Sequence, residues 1–166
     1  VSQAMANAAS AVHRVQGERP PNNQGGWNYN VANDNGDLSV THFAGSGLAA
    51  VSGLLPDHAQ AAPDMLPFLE AAQNEDGGFA YHPGRNSSTP MAAVGVWMMR
   101  VAGAPTADPR VQAGLEWLTL NHRPEGMVGD FNPSSVYYSF WTITKALAVT
   151  RGLDHPVPGE RDPLEE

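Results

Sequence analysis

A short turn signature that recurs along the chain constrains the fold most. Residues 25–29 read Gly-Gly-Trp-Asn-Tyr, residues 77–81 read Gly-Gly-Phe-Ala-Tyr, and residues 129–131 read Gly-Asp-Phe. The aromatic residues that follow the glycines in these three turns are 52 positions apart both times. A second set of landmarks, Gly53, Gly103 and Gly152, is spaced by 50 and 49 positions. Two independent landmarks that keep nearly one period predict an internal repeat.

Apolar residues at helical spacing flank the turns. Before the second turn, Met65, Phe68, Leu69 and Ala72 fall on one face of a helix, and residues 88–103 after it are rich in small and apolar side chains. Paired glycines adopt backbone angles that other residues avoid, so they suit the sharp reversal between two helices. The chain is therefore predicted to be all-α, with hairpin repeats over about 1–55, 56–104 and 105–153. Residues 154–166 read as an acidic, proline-rich tail.

Helix boundaries follow from capping residues and prolines. The six predicted helices cover about 2–16, 38–54, 64–73, 88–103, 109–120 and 134–151. Residues suited to N-caps precede three of them: Asp37, Ser87 or Ser88, and Asp108. Prolines that fit the first helical turn are Pro67, Pro90 and Pro109.

Composition excludes several classes of function. The formal net charge is −8 and the chain has a single lysine, which argues against nucleic acid or an anionic membrane surface as a partner. No run of about 18 apolar residues is present, so no membrane span is predicted. Without cysteine there is no disulfide, thiolate zinc site or cysteine nucleophile, and the compartment stays open. The sequence begins inside a predicted helix, so we expect a fragment or a removed upstream segment.

The repeat resembles a known family. An apolar helix ending in Gln73, the Asp-Gly-Gly-Phe turn at 76–79 and a second helix rich in small and aromatic residues are similar to the repeats of squalene-hopene cyclases and protein prenyltransferase β-subunits. The Tyr-Ser-Phe-Trp segment at 138–141 is similar to one that follows a zinc-binding Asp-x-Cys in prenyltransferases. This resemblance implies an α/α toroid, here a partial one of three hairpins. Its inner helices would begin at Leu38, Thr89 and Ser134.

The catalytic residues of that family do not carry over. The resemblance implies an Asp-x-Asp-Asp acid for the cyclases, whereas the nearest run here is Asn-Asp-Asn-Gly-Asp at 33–37. The positions that match the prenyltransferase zinc ligands are Ser135 and Tyr137, and the thioester cysteine of complement-type relatives has no counterpart. We therefore predict no catalytic residue and no cofactor, and lean against an enzyme.

Two sets of side chains are candidate binding residues. Aromatic residues and one histidine on the predicted inner helices can line an apolar pocket, with simple core packing as the alternative: His42, Trp97, Tyr137, Tyr138 and Trp141. The loop before the second helix offers oxygen ligands at the density of a calcium loop: Asn33, Asp34, Asn35 and Asp37. That loop lacks the distal glutamate of an EF-hand, so a turn with a helix cap is the favoured interpretation.

The six histidines predict no local metal site. None forms an i, i+4 pair with another, so a site would have to combine distant segments.

The repeat number predicts partners. Three hairpins leave two open flanks, which we expect a second copy or another subunit to cover. The sequence thus favours a non-catalytic binding or assembly module that holds a protein, peptide or apolar ligand. The alternative is part of a terpene cyclase or prenyltransferase-like enzyme whose catalytic acid lies outside this chain.

Overall fold

Six α-helices account for most of the residues that the computed structural model describes, which are 2–17, 24–30, 35–122 and 136–151. They are α1 (Gln3–Gly17), α2 (Leu38–Val51), α3 (Leu66–Ala72), α4 (Thr89–Val101), α5 (Pro109–Asn121) and α6 (Val136–Thr150). Within these residues there is no β-strand, only an isolated antiparallel bridge between Gln73 and Phe79. The prediction of an all-α protein is confirmed.

Local capping signals place two of the helix starts as predicted. The Asp37 side chain accepts hydrogen bonds from the backbone N–H groups of Ser39 and Val40. The Asp108 side chain accepts one from the N–H of Arg110, with Pro109 at the first helical position. In both cases the carboxylate satisfies a backbone donor that has no partner inside the helix.

Other boundaries differ from the prediction. Ser88 occupies the N-cap position of α4, but its side chain makes no capping hydrogen bond. Helix α2 ends at Val51 and gives way to a turn, although the apolar pattern extended to residue 54.

The segment before the second turn is irregular up to Met65, and α3 starts close to the predicted position with Pro67 in its first turn, as predicted. Two short 3₁₀ helices, Pro56–Ala61 and Pro63–Met65, precede a seven-residue α3. A proline inside an α-helix removes a hydrogen bond and clashes with the preceding turn. Pro63 therefore starts a new short helix rather than continuing one.

Helix α4 lies at the centre of the described core. It contacts α2, α3, α5 and α6, and every residue from Thr89 to Arg100 is buried. Since α4 is covered on all sides, its small residues allow the neighbours to approach closely. Gly95 shows this most clearly, because the ring of Phe79 occupies the space that a side chain would need.

The two described glycine turns pack in matching ways. Gly25 and Gly77 have φ angles of 93° and 88°, in the left-handed region that favours glycine. A β-carbon on Gly25 would collide with the Asp64 carbonyl, and one on Gly77 would lie 2.9 Å from the Ala113 carbonyl. Each turn is thus pressed against a helical segment that follows later in the chain.

Two glutamines reinforce these contacts. The Gln16 amide Nε2 donates to the carbonyls of Gly25 and Ala61, at 3.2 and 2.8 Å. The Gln73 Nε2 donates to the carbonyls of Gly77 and Arg110, at 3.0 and 2.9 Å. Each glutamine links its own turn to a later helical segment.

Several predicted features lie outside the described residues. These are the third turn at 129–131, Gly152, the start of the sixth helix at Ser134 and Ser135, and the tail at 154–166. Among the helices that are described, none has the length and apolar character needed to cross a bilayer.

Candidate functional site: an aromatic cluster around His42

Four of the five predicted pocket residues meet at one place. His42 comes from α2, Trp97 from α4, and Tyr138 and Trp141 from α6. The His42 ring centroid lies 5.5 Å from that of Trp97, 5.7 Å from Tyr138 and 5.6 Å from Trp141. Trp97 and Trp141 meet edge to face at 5.2 Å, a favourable arrangement for two aromatic rings. We call these four residues the His42 cluster.

The His42 ring is fully buried. The hydroxyl of Tyr138 lies 3.3 Å from its Nδ1 atom, and its Nε2 atom has no hydrogen-bond partner among the described residues. Burial lowers the pKa of His42 to about 4, against smaller opposing effects of the Ser39 backbone and the Asp37 carboxylate. The imidazole is therefore neutral at physiological pH.

Tyr138 shares this apolar environment. Burial raises its pKa well above the ordinary value for tyrosine, with smaller contributions from Tyr81, Asp37 and Tyr29. A phenol in this state keeps its proton and can act as a hydrogen-bond donor or acceptor, but not as a base. The polar atoms of the cluster are thus uncharged at neutral pH.

An exposed aromatic surface adjoins the His42 cluster. Phe43 stacks on Trp141, with ring centroids 6.1 Å apart and planes inclined by 19°. The exposed fractions are 58% for Phe43, 39% for Trp141, 49% for Phe140 and 84% for Tyr137. We call these four residues the aromatic face. Tyr137, predicted to line the pocket, belongs to this exposed surface rather than to the buried cluster.

The helices that carry the aromatic face have no acidic residue. Their sequences are LSVTHFAGSGLAAV for α2 and VYYSFWTITKALAVT for α6, although the whole chain has a formal charge of −8. Their one charged side chain is Lys145, whose Nζ lies 6.0 Å from the ring centroid of Trp97. That distance fits a cation-π contact. The acidic charge of the protein is therefore carried elsewhere.

The predicted calcium residues are only partly described. Asn33 and Asp34 lie outside the described residues, and the Asn35 carbonyl accepts a hydrogen bond from the Asn28 side chain. One Asp37 oxygen caps α2, and the other lies 4.0 Å from His82 Nε2. Within the described ranges no group of three or more His, Asp or Glu side chains is arranged to hold a metal. The calcium site stays a prediction.

Sequence reasoning missed Phe43 as a member of the aromatic face, and it assigned Phe140, with its aromatic neighbours on the last helix, to the apolar pocket. Phe43 follows His42 directly, and Phe140 lies between Tyr138 and Trp141. Adjacent residues on a helix point about 100° apart, so a run of aromatic residues cannot all be buried on one side. That geometry is the signal that identifies an exposed set within the run.

Comparisons with known proteins leave the family open. No family model, curated protein or solved structure matches this chain. The resemblance to cyclase and prenyltransferase repeats therefore remains a prediction from the turn and helix motifs.

Proposed function

We propose that the protein is a non-catalytic assembly and binding module whose aromatic face docks against a second copy of the chain. The observation that carries this proposal is the exposed aromatic face on α2 and α6. Large aromatic side chains are enriched at protein interfaces, and charged residues are depleted from the interface core. Both properties hold for this surface.

The state of the His42 cluster favours a protein partner over an apolar ligand inside the cluster. Trp97 is 7% exposed and His42 is fully buried, and the rings already contact one another. The accessible apolar area lies on Phe43, Tyr137, Phe140 and Trp141. An exposed aromatic surface of this kind suits contact with another protein.

The absence of acidic residues from α2 and α6 supports self-association at this face. Two chains of formal charge −8 repel each other, but screening limits that repulsion to a distance of about 8 Å at physiological salt. Because α2 and α6 contain no acidic residue, two aromatic faces can meet while the acidic groups stay outside the contact.

The proposed self-association agrees with a partial α/α toroid of three hairpins, which the family resemblance implies. The contacts of α4 with α2 and α6, and with α3 and α5, support the toroid. The matching hydrogen bonds of Gln16 and Gln73 support the repeat. In such an array the first and last hairpins have flanks without an internal neighbour.

The enzyme alternative would need its catalytic acid from outside this chain. A terpene cyclase protonates an alkene, which requires a strong acid held in its protonated form. His42, with its pKa lowered to about 4 by burial, is unprotonated at neutral pH. The Asp37 carboxylate caps α2.

Sedimentation of the purified chain tests the proposal. We expect a monomer–dimer equilibrium whose dimer fraction rises with protein concentration. Phe140→Ser and Trp141→Ser should each raise the dissociation constant of the dimer tenfold or more, because aromatic truncation at an interface costs about 2 kcal/mol. The exposed Leu54→Ser is the matched control, as it lies after α2 and outside the aromatic face. A wild-type chain that stays monomeric up to several hundred micromolar would overturn the proposal.

A further inference from the structure

Two histidines from distant segments are joined by a hydrogen bond. His13 belongs to α1, and His58 belongs to the 3₁₀ helix Pro56–Ala61. Their Nδ1 atoms are 2.9 Å apart and their ring centroids 5.2 Å apart, so the two nitrogen atoms face each other directly. We call this contact the histidine clasp. We propose that the clasp is a pH-sensitive switch, which holds α1 in place at neutral pH and releases it in mildly acidic solution.

The geometry of the clasp limits the number of protons that it can hold. A hydrogen bond between two Nδ1 atoms needs a proton on one of them and a lone pair on the other. The Ser10 hydroxyl lies 3.3 Å from the Nε2 atom of His58, where a hydroxyl can either donate or accept. The clasp can therefore form with both rings neutral. It can also form with one ring protonated, and its hydrogen bond is then strengthened by the charge.

A second added proton breaks the clasp. With one ring already protonated and the other carrying its proton on Nε2, the only free nitrogen is the Nδ1 atom that accepts the hydrogen bond. Protonation of that atom would leave two N–H groups of two cationic rings facing each other at 2.9 Å. Neither group could then accept, and like charges repel. The closed clasp thus holds one added proton and excludes the next.

The charged groups around the clasp do not pair with a second proton. Arg14 and Asp64 line a cavity of about 750 Å³ together with the two rings, and Asp57 belongs to the same 3₁₀ helix as one of them. The Asp64 carboxylate accepts a hydrogen bond from Gln60. Among the described residues, no carboxylate forms an ion pair with either ring. Helix α2, which also packs on α1, has His42 as its one titratable group, in the buried cluster.

Helix α1 is held to the rest of the chain by a small buried surface. It packs mainly on α2 and on the 3₁₀ helix Pro56–Ala61, and among its described side chains only Ala9 and Gln16 are buried. Segments with few buried apolar contacts open locally without global unfolding. Because the clasp is one of the polar contacts that close α1, its loss favours this local opening.

The pH range of the switch follows from the proton counts. A histidine in an open, solvated segment takes up its proton near pH 6.5. Below that pH both rings are protonated when α1 is open, whereas the closed clasp holds one proton. The open form then binds one proton more than the closed form, so its population rises as the pH falls, by up to tenfold per pH unit. Well above pH 7 both forms are unprotonated, and the dependence on pH disappears.

Hydrogen exchange of the whole chain tests the proposal. After correction for the intrinsic pH dependence of exchange, the opening constant of the α1 amides should rise about five- to tenfold from pH 6 to pH 5. The amides of the central helix α4 report global unfolding, and those of α1 should exchange faster than they do. His13→Gln and His58→Gln each leave a single ring, which can be protonated without a facing N–H group. Both variants should therefore lose the rise.

The control is His82→Gln, since the Nδ1 atom of His82 contacts the Gly36 carbonyl and not α1. This variant should keep the full pH dependence of α1. The wild type alone decides the main question, whether or not the variants fold: an α1 opening constant that is the same at pH 6 and pH 5 would overturn the proposal. Exchange of the α1 amides only together with those of α4 would also overturn it, as would an equal rise in both clasp variants.

Discussion

The indole Nε1–H of Trp117 donates a 2.9 Å hydrogen bond to the carboxylate of Asp76. The other oxygen of Asp76 accepts from the Gly78 N–H at 2.9 Å and from the Ser87 hydroxyl at 2.8 Å. One carboxylate thus joins the second glycine turn to α5 and to the segment that leads into α4. Burial raises the pKa of Asp76, but the hydrogen bonds from Ser87, Trp117 and Gly78 outweigh it and hold the pKa below its ordinary value of 3.8.

The first prediction concerns acid stability. A carboxylate with a lowered pKa in the folded state contributes stability above its unfolded pKa, near pH 4, and this contribution is lost as the pH falls through the folded value. Asp76→Asn should lower the free energy of unfolding by about 1–2 kcal/mol at pH 7. The difference from wild type should shrink below pH 4. Urea unfolding at pH 7, 4 and 2.5 measures it.

The neighbouring Glu75 provides the control for this prediction. Glu75 and Asp76 are both exposed residues of the same turn, but it is the Asp76 carboxylate that accepts the hydrogen bonds from Gly78, Ser87 and Trp117, so Glu75→Gln should change the free energy of unfolding by less than about 0.5 kcal/mol. A destabilisation by Asp76→Asn that is independent of pH would contradict the role given to the charged carboxylate.

A second prediction ranks three glutamines. Gln16 is 2% exposed, and its amide donates to two backbone carbonyls. Gln16→Ala should therefore cost about 2–3 kcal/mol, and Gln73→Ala, which loses two similar bonds at a half-buried position, about 1–2 kcal/mol. Gln3→Ala, at an exposed site on α1, should cost less than about 0.5 kcal/mol. Chemical denaturation gives all three values, and a Gln73 effect no larger than that of Gln3 would refute the ranking.

The parts of this structure that sequence could predict depend on local signals. Asp37 and Asp108 allow the starts of their helices to be predicted, because a capping side chain bonds to the backbone only two or three residues away. Glycine pairs mark the turns for a similar reason, since the φ angle they allow is a property of the residue itself. Helical periodicity then indicates the all-α class.

The unpredicted parts depend on contacts between distant segments. His13 and His58 meet through the path of the chain between them, and no spacing rule encodes that distance. Ser88 has the right residue type and an extended N-cap backbone, yet its side chain makes no capping bond. Tyr137 and Tyr138 are identical in type and adjacent in sequence, yet Tyr138 is partly buried against the core while Tyr137 is 84% exposed.

The third prediction concerns His42, which should affect stability in a higher pH range than Asp76 does. Because burial lowers the pKa of His42 to about 4, the unfolded chain binds a proton at this residue between about pH 6.5 and pH 4 while the folded chain does not. Stability should therefore fall as the pH falls through that window, by about 2–3 kcal/mol in total from this residue, and not further below it.

Replacing the imidazole tests that assignment. His42→Gln cannot titrate, so its free energy of unfolding should be less dependent on pH than that of the wild type between pH 6.5 and 4.5. The difference between the two proteins cancels the contributions of all other groups. Nuclear magnetic resonance of the His42 ring should show no protonation at pH 5.5 in the folded chain. Parallel pH profiles for the two proteins would contradict the prediction.

The last prediction uses two helical glycines with opposite surroundings. A β-carbon on Gly95 in α4 would overlap the ring of Phe79, whereas one on Gly47 in α2 would meet no other atom within 4 Å. Gly47→Ala should stabilise the protein by about 0.5–1 kcal/mol, because alanine is the better helix former. Gly95→Ala makes the same change in helix propensity but should destabilise by about 2–3 kcal/mol through overpacking. Thermal unfolding monitored by circular dichroism distinguishes the two signs.

Removing the ring should relieve the overlap at Gly95. In the Gly95→Ala background, Phe79→Ala removes Cγ, Cδ1 and Cδ2, the ring carbons that the new methyl group would strike. The double variant should therefore be more stable than the sum of the two single changes predicts, since residues in contact are not additive. Additive effects would show that Phe79 does not explain why this position in a fully buried helix carries glycine.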